Sequence, residues 1–208
     1  MTQPQAVKRF TPQEYYRLEQ DAVSRNEYYN GEIFAMAGGT ATHSLICNNI
    51  GGEARARLKG GPCTIYESNL RLKLKATGLR TYPDVSIYWD PLETDEEDPY
   101  RETYTNPSVL FEVLSKSTEA YDRGAKPENY RKVKSLRAYA LVSQYAPHVE
   151  LYERQADGNW LFREFLGLDA TVSIQSPRLD LPMAEIYARV QFEELDADTA
   201  NATFPAKP

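Results

Sequence analysis

The sequence predicts an α/β (α+β) fold, a mixed central β-sheet flanked by helices, and three observations carry that prediction. Residues Tyr82-Pro83-Asp84-Val85-Ser86-Ile87-Tyr88-Trp89 alternate with the period of a strand, placing Val85, Ile87 and Trp89 on an apolar side and Asp84, Ser86 and Tyr88 on the other. Val109-Leu110-Phe111-Glu112-Val113-Leu114 is an apolar run of the kind a strand buried on both faces shows, broken by a single carboxylate. From Thr42 to Leu58, Leu45, Ile46, Ile50, Ala54 and Leu58 recur at helical spacing, with Arg55, Arg57 and Lys59 at the end where cations complement the helix dipole.

The remaining elements follow in chain order. Thr11-Pro12-Gln13-Glu14 opens a helix with a capping box and a proline at the first helical position, ending before Ser24. Asn30-Gly31 between two strand-like runs is a hairpin signal, and Glu32 opens its second strand. His43 stands at the start of the next helix, where a histidine is commonly a cap or a surface residue. Two strands follow, about 63 to 66 and 69 to 75. The second turns Leu70, Leu72 and Leu74 to the core and Arg71, Lys73 and Lys75 to the other side. Residues 90 to 104 form an acidic, proline-containing loop, the longest irregular stretch, expected to be mobile and to lie away from a phosphate backbone. Beyond the central strand, a polar loop enters a basic helix. Six cations (Arg123, Lys126, Arg131, Lys132, Lys134, Arg137) face one acid, Glu128, between 123 and 137. Residues 138 to 143 form another buried strand. A C-terminal β-hairpin turns at Asp157-Gly158, and a last short helix begins at Pro182. Residues 1 to 10 read as a flexible N-terminus, 11 to 192 as a single domain, and 193 to 208 as a disordered tail.

Length and composition set bounds. The chain has 208 residues, 41% hydrophobic content and 15 Tyr, enough to bury a core. A net charge of −6 excludes a general nucleic-acid coating protein, so any such contact is local. Cys47 and Cys63 lack zinc-site spacing and read as free, buried thiols; two histidines exclude a histidine-rich metal site. There is no apolar leader and no run long enough to span a membrane, which places the expected location in the cytoplasm.

Asp84 and Glu112 are the candidate centre. A carboxylate in a buried strand is paired with a cation, protonated, or bound to a metal, since burying it alone costs several kcal/mol. Two converging carboxylates repel unless a divalent ion lies between them. A structural ion pair between Glu112 and an Arg or Lys is the alternative at this point. The basic segment beside the pair suits a phosphodiester.

The ordered motifs Tyr28-Tyr29-Asn30-Gly31-Glu32, His43 with its helix, Tyr82-Pro83-Asp84-Val85-Ser86, Glu112-Val113-Leu114-Ser115, Ser117-Thr118, Tyr121-Asp122-Arg123-Gly124, Lys126, Tyr130 and Leu136-Arg137-Ala138-Tyr139 together resemble the PD-(D/E)XK nuclease superfamily, the restriction-endonuclease-like fold. More closely, the chain is similar to the Uma family of bacterial endonuclease-like proteins, over roughly residues 10 to 190. The resemblance implies Mg²⁺ held by Asp84 and Glu112, with Mn²⁺ able to substitute, and Glu32 as a third catalytic carboxylate. It implies DNA as substrate, with Lys73, Arg123, Arg131 and Lys132 on the nucleic acid, and a homodimer. The superfamily lysine two residues after the acid is replaced by Leu114; Lys126 is expected to substitute, Lys116 being the fallback, although Pro127 disfavours helix at Lys126. Three functions stay open: a Mg²⁺-dependent endonuclease, a catalytically inactive binding or assembly module of the same fold, and a hydrolase of small phosphoesters.

Overall fold

Helix α1 (Pro12–Gln20) begins on the expected capping box. Thr11 Oγ1 accepts from the Glu14 amide at 3.2 Å and Glu14 Oε2 accepts from the Thr11 amide at 2.7 Å. The structure, a computed structural model, describes residues 8–36, 38–116 and 118–192. Of the expected flexible N-terminus, residues 1–7 lie outside the described residues, as does the expected tail at 193–208. Phe10, by contrast, is tied by its amide to the Gly31 carbonyl at 2.7 Å.

Strands β1 (Asn26–Tyr29) and β2 (Glu32–Ala35) form the hairpin, with Asn30 and Gly31 both at positive φ, 49° and 84°, as a type I′ turn requires. Helix α2 (Ala41–Arg57) starts at Thr40, whose hydroxyl accepts the His43 amide at 3.0 Å. The chain continues through β3 (Cys63–Glu67), β4 (Arg71–Lys73), β5 (Arg80–Thr81), β6 (Val85–Trp89), β7 (Thr103–Tyr104) and β8 (Pro107–Leu114). Helices α3 (Glu119–Arg123) and α4 (Ala125–Tyr130) lead to β9 (Ala138–Ser143), β10 (His148–Arg154), β11 (Trp160–Leu166), β12 (Thr171–Gln175), β13 (Arg178–Pro182) and α5 (Met183–Ile186).

The central sheet has six strands in the order β11-β10-β9-β8-β6-β3 and is mixed, because β8 and β9 run parallel while their neighbours run antiparallel. All eight residues of β8 are buried, which explains its largely apolar character. Val109, Phe111 and Val113 pack with Ile46, Ile50 and Ala54 of α2 and with β12, β13 and α5. Leu110 and Leu114 pack on the opposite face with Tyr130, Leu136 and Tyr139 and with Leu72, Leu74 and Leu79. A second, five-stranded sheet, β2-β1-β5-β4-β7, carries the hairpin. The predicted hairpin at 157–158 joins β10 and β11 at the edge of the central sheet; β12 and β13 form a further hairpin that the sequence reading did not distinguish.

Four expectations are corrected. Trp89 shares its side with Val85 and Ile87 but lies at the strand end and is exposed. The basic segment is not one helix: Gly124, with φ −102° and ψ −91°, separates α3 from α4, and the chain leaves α4 in turns at Arg131. Pro127 does not displace Lys126 from helix. It sits in the first turn of α4, where amides have no intrahelical partner to lose. The loop at 90–104 is not loose, because its buried Asp95 and Asp98 are ion-paired to the basic row of β4. Lys73 Nζ lies 2.8 Å from Asp95 and 2.8 Å from Glu97, Arg71 lies 3.5 Å from Asp98, and Arg80 lies 2.6 Å from Glu97. Lys73 is therefore buried among acids and unavailable to a nucleic acid. Strand alternation told which way it points; it did not tell that another part of the chain covers it.

Candidate active site

The end of β8 and the start of β6 are neighbours, with Val85 paired to Phe111. One further step along that register sets Asp84 opposite Glu112, the spacing at which cross-strand side chains meet. Asp84 Oδ2 accepts the Val113 amide at 2.7 Å, which fixes the carboxylate against the strand end. Glu112 is 2% exposed and accepts the Tyr130 hydroxyl at 2.6 Å on Oε1. The same oxygen lies 3.1 Å from Lys126 Nζ. The structural ion pair and the candidate centre thus coexist at Glu112.

Lys126 is 4% exposed and sits inside a cage of acids. Its ammonium is 3.0 Å from Asp122 Oδ1 and 3.8 Å from Glu27 Oε1, in addition to Glu112. The Asp122 contact is an ion pair without hydrogen-bond alignment. Burial works to lower the Lys126 pKa, but Glu112, Asp122, Glu27 and Asp84 outweigh it and hold the ammonium well above its ordinary range. Burial pushes Glu112 up to about 8 against the pull of Lys126, with Asp122 and Asp84 adding to the rise.

Glu27 was missed by the sequence reading, which took Glu32. Glu27 pairs across the hairpin with Phe34, and Tyr29 with Glu32, so the two acids share a face; Glu32 lies at the turn end, 3.6 Å from Arg9. Glu27 lies on β1, toward the open end of the hairpin, where it accepts the Thr81 hydroxyl and reaches Lys126. Glu32 does not line the cleft, and Glu27 does.

His43 was read as a cap or surface residue, and the structure brings it into the site. Its Nε2 lies 3.2 Å from Asp84 Oδ2. Burial opposes protonation, yet the hydrogen bond and charge of Asp84 raise its pKa. The i, i+4 spacing of His43 and Cys47 on α2 was the available signal: Cys47 Sγ is 3.6 Å from His43 Nδ1. Of the expected nucleic-acid contacts, Arg123, Arg131 and Lys132 are exposed, but Arg123 is engaged with Glu119 and Glu150. Lys116, the fallback lysine, is exposed on the rim.

Glu27, His43, Asp84, Glu112, Lys116 and Lys126 line a cleft of about 850 Å³ at the C-terminal ends of the parallel strands β8 and β9. Its floor carries Asp84, Glu112, Asp122, Glu27 and Lys126. Among the described residues, no hydrogen bond is made to Asp84 Oδ1 or Glu112 Oε2, so each acid keeps one oxygen for a further ligand. This hard-oxygen pair fits a divalent cation such as Mg²⁺, which takes one or two carboxylates and retains waters. A second donor set, His43, Cys47 and Asp84, has ligand atoms within 4.8 Å of one another. It suits such a cation less well, because burial, then Asp84 and Glu112, push the Cys47 thiol up and keep it protonated.

No helix among the described residues is long and apolar enough to cross a membrane. The chain is similar to two proteins of Synechocystis sp., uncharacterized proteins slr1290 and sll1609. It is 35% identical to the first over 88% of this chain and 94% of the relative, and 31% identical to the second over 80% and 93%. Its fold matches the crystal structure titled "a putative nuclease belonging to DUF820 from Anabaena variabilis", with a TM-score of 0.70, 18% identity, and coverage of 88% of this chain and 99% of that one. A family model matches residues 12–184, nearly the whole described chain and every residue of the cleft floor, and the chain accordingly belongs to the family described as "Uma2: Putative restriction endonuclease".

Proposed function

We propose that the chain is a divalent-metal-dependent endodeoxyribonuclease, with Asp84 and Glu112 holding Mg²⁺ or Mn²⁺ and Lys126 acting beside them. The observation that supports this most is the convergence, in one cleft, of two carboxylates from neighbouring strands with a buried ammonium 3.1 Å from one of them. When bound, the metal would polarise the scissile phosphate and lower the pKa of a water. Lys126 supplies positive charge where negative charge grows on phosphorus, and its cage fixes its position before substrate arrives. His43 and the Val113 amide orient Asp84, and Tyr130 orients Glu112. Arg131 and Lys132 give the substrate exposed cations, and Arg123 adds charge behind them. A homodimer is part of this reading, and light scattering after gel filtration checks it.

The test is a calorimetric titration of Mn²⁺ together with a plasmid-nicking assay. Wild type binds metal and nicks DNA; Asp84→Asn and Glu112→Gln lose both. Cleavage surviving both substitutions would overturn the reading. The competing reading, an inactive binding module, is favoured by Leu114 and by the three acids that already satisfy Lys126. It requires that wild type neither binds Mn²⁺ nor nicks DNA.

A further inference from the structure

Three features of the cleft bear on which form of nucleic acid reaches its floor. The first is depth. Glu112 and Lys126 are 2% and 4% exposed, so a phosphate must descend below the protein surface to meet them. A cleft of about 850 Å³ has the size that receives one small ligand. A paired duplex keeps both backbones on a wide, stiff cylinder, whose major groove alone spans about 12 Å. The second is the wall. Tyr29 and Phe34 both line the cleft, and both are among the exposed large hydrophobic residues, at 41% and 48%. In the hairpin, Phe34 is the cross-strand partner of Glu27, and Tyr29 stands two residues along on the same face. The two rings are thus diagonal neighbours on the two strands of the hairpin that carries a floor acid. The third is charge. The floor is acidic, its lysine is enclosed by carboxylates, and Lys116 is the only other lysine or arginine lining the cleft among the described residues. Grip on a duplex rests on many phosphate contacts, which this wall lacks; grip on an unpaired strand rests on flat rings under successive bases.

We propose that the hairpin bearing Tyr29 and Phe34 is a stacking platform for unpaired nucleobases, so that the substrate of this cleft is a single-stranded or locally unpaired segment rather than intact duplex. The inference rests on the nuclease reading above and specifies its substrate. A base lying on Phe34 or Tyr29 leaves the adjoining phosphate free to enter toward Asp84 and Glu112. Because every base has a flat face, the platform tolerates sequence.

The test measures fluorescence anisotropy of a labelled single-stranded oligodeoxynucleotide of mixed sequence and of its blunt duplex, in Ca²⁺ to hold the complex without cleavage. The single strand is expected to bind at least about tenfold more tightly than the duplex. Tyr29→Leu and Phe34→Leu keep apolar bulk and lose the flat ring, and each is expected to weaken single-strand binding about five- to a hundredfold. Circular dichroism melting confirms that both variants fold. Duplex binding as tight as single-strand binding, or leucine variants that bind like wild type, would overturn the platform while leaving the nuclease reading in place. Failure of both oligonucleotides to bind would remove the platform; plasmid nicking by the same preparation then decides whether the nuclease reading falls with it.

Discussion

Tyr130 donates its phenolic hydrogen to Glu112 Oε1 at 2.6 Å, and both groups are buried. That bond favours the charged carboxylate against burial. Tyr130→Phe removes it without leaving a hole. We expect a loss of about 1.5 kcal/mol in stability, the scale of a hydrogen bond to a charged group, and weaker Mn²⁺ binding, read by urea unfolding and calorimetry.

Lys126 holds three acids together. Lys126→Met leaves Glu27, Glu112 and Asp122 without their shared cation and is expected to cost about 3–5 kcal/mol in the metal-free chain. A divalent ion would replace part of the lost charge. Mn²⁺ should therefore raise the melting temperature of the variant more than that of wild type, while nicking stays lost.

The pH dependence of stability follows from Glu112. Its folded pKa, about 8, exceeds the value of 4.5 for an unperturbed Glu. Between those values the folded chain binds more protons than the unfolded one, so this group makes stability fall as pH rises from about 4.5 to about 8. His43, also raised, pushes in the same direction, its contribution being lost as pH rises through its folded pKa. Comparison with Glu112→Gln isolates the carboxyl. Denaturation midpoints of the metal-free wild type should drop between pH 5 and pH 8 more steeply than those of the variant.

Lys73 serves the fold. Lys73→Met should leave oligonucleotide binding within about twofold of wild type and destabilise by about 3 kcal/mol, because Asp95 remains buried without its ammonium. Anisotropy and chemical denaturation on one preparation check both halves. Lys132→Ala should show the reverse pattern, weaker binding and unchanged stability, since Lys132 is exposed.

What could be read from the sequence was what neighbours in sequence decide. The Thr11 capping box, the Asn30-Gly31 turn and the lone acid in β8 are local signals, and each appears where expected. Lys126 was legible by its place among the motifs, although Pro127 argued against it until the helix start was seen. Glu27 and Glu32 are two acids on one face of a four-residue-per-strand hairpin, and which of them reaches the floor depends on where the hairpin docks. Lys73 and Asp95 lie 22 positions apart, and alternation carries no information on what covers a strand from outside. His43 has helix geometry that fits a cap equally well, and only the approach of Asp84 separates the two roles.

The cage around Lys126 also bears on when the chain becomes competent. Its acids come from β1, β8 and α3, and the outermost contact joins Glu27 to Lys126 across most of the first two-thirds of the chain. The Asp122 contact is local, but no local segment can assemble the whole cage. Contacts of such long sequence separation close late in folding. A growing or half-folded chain therefore carries Glu27 and Lys126 apart, and the complete cage exists only in the finished molecule.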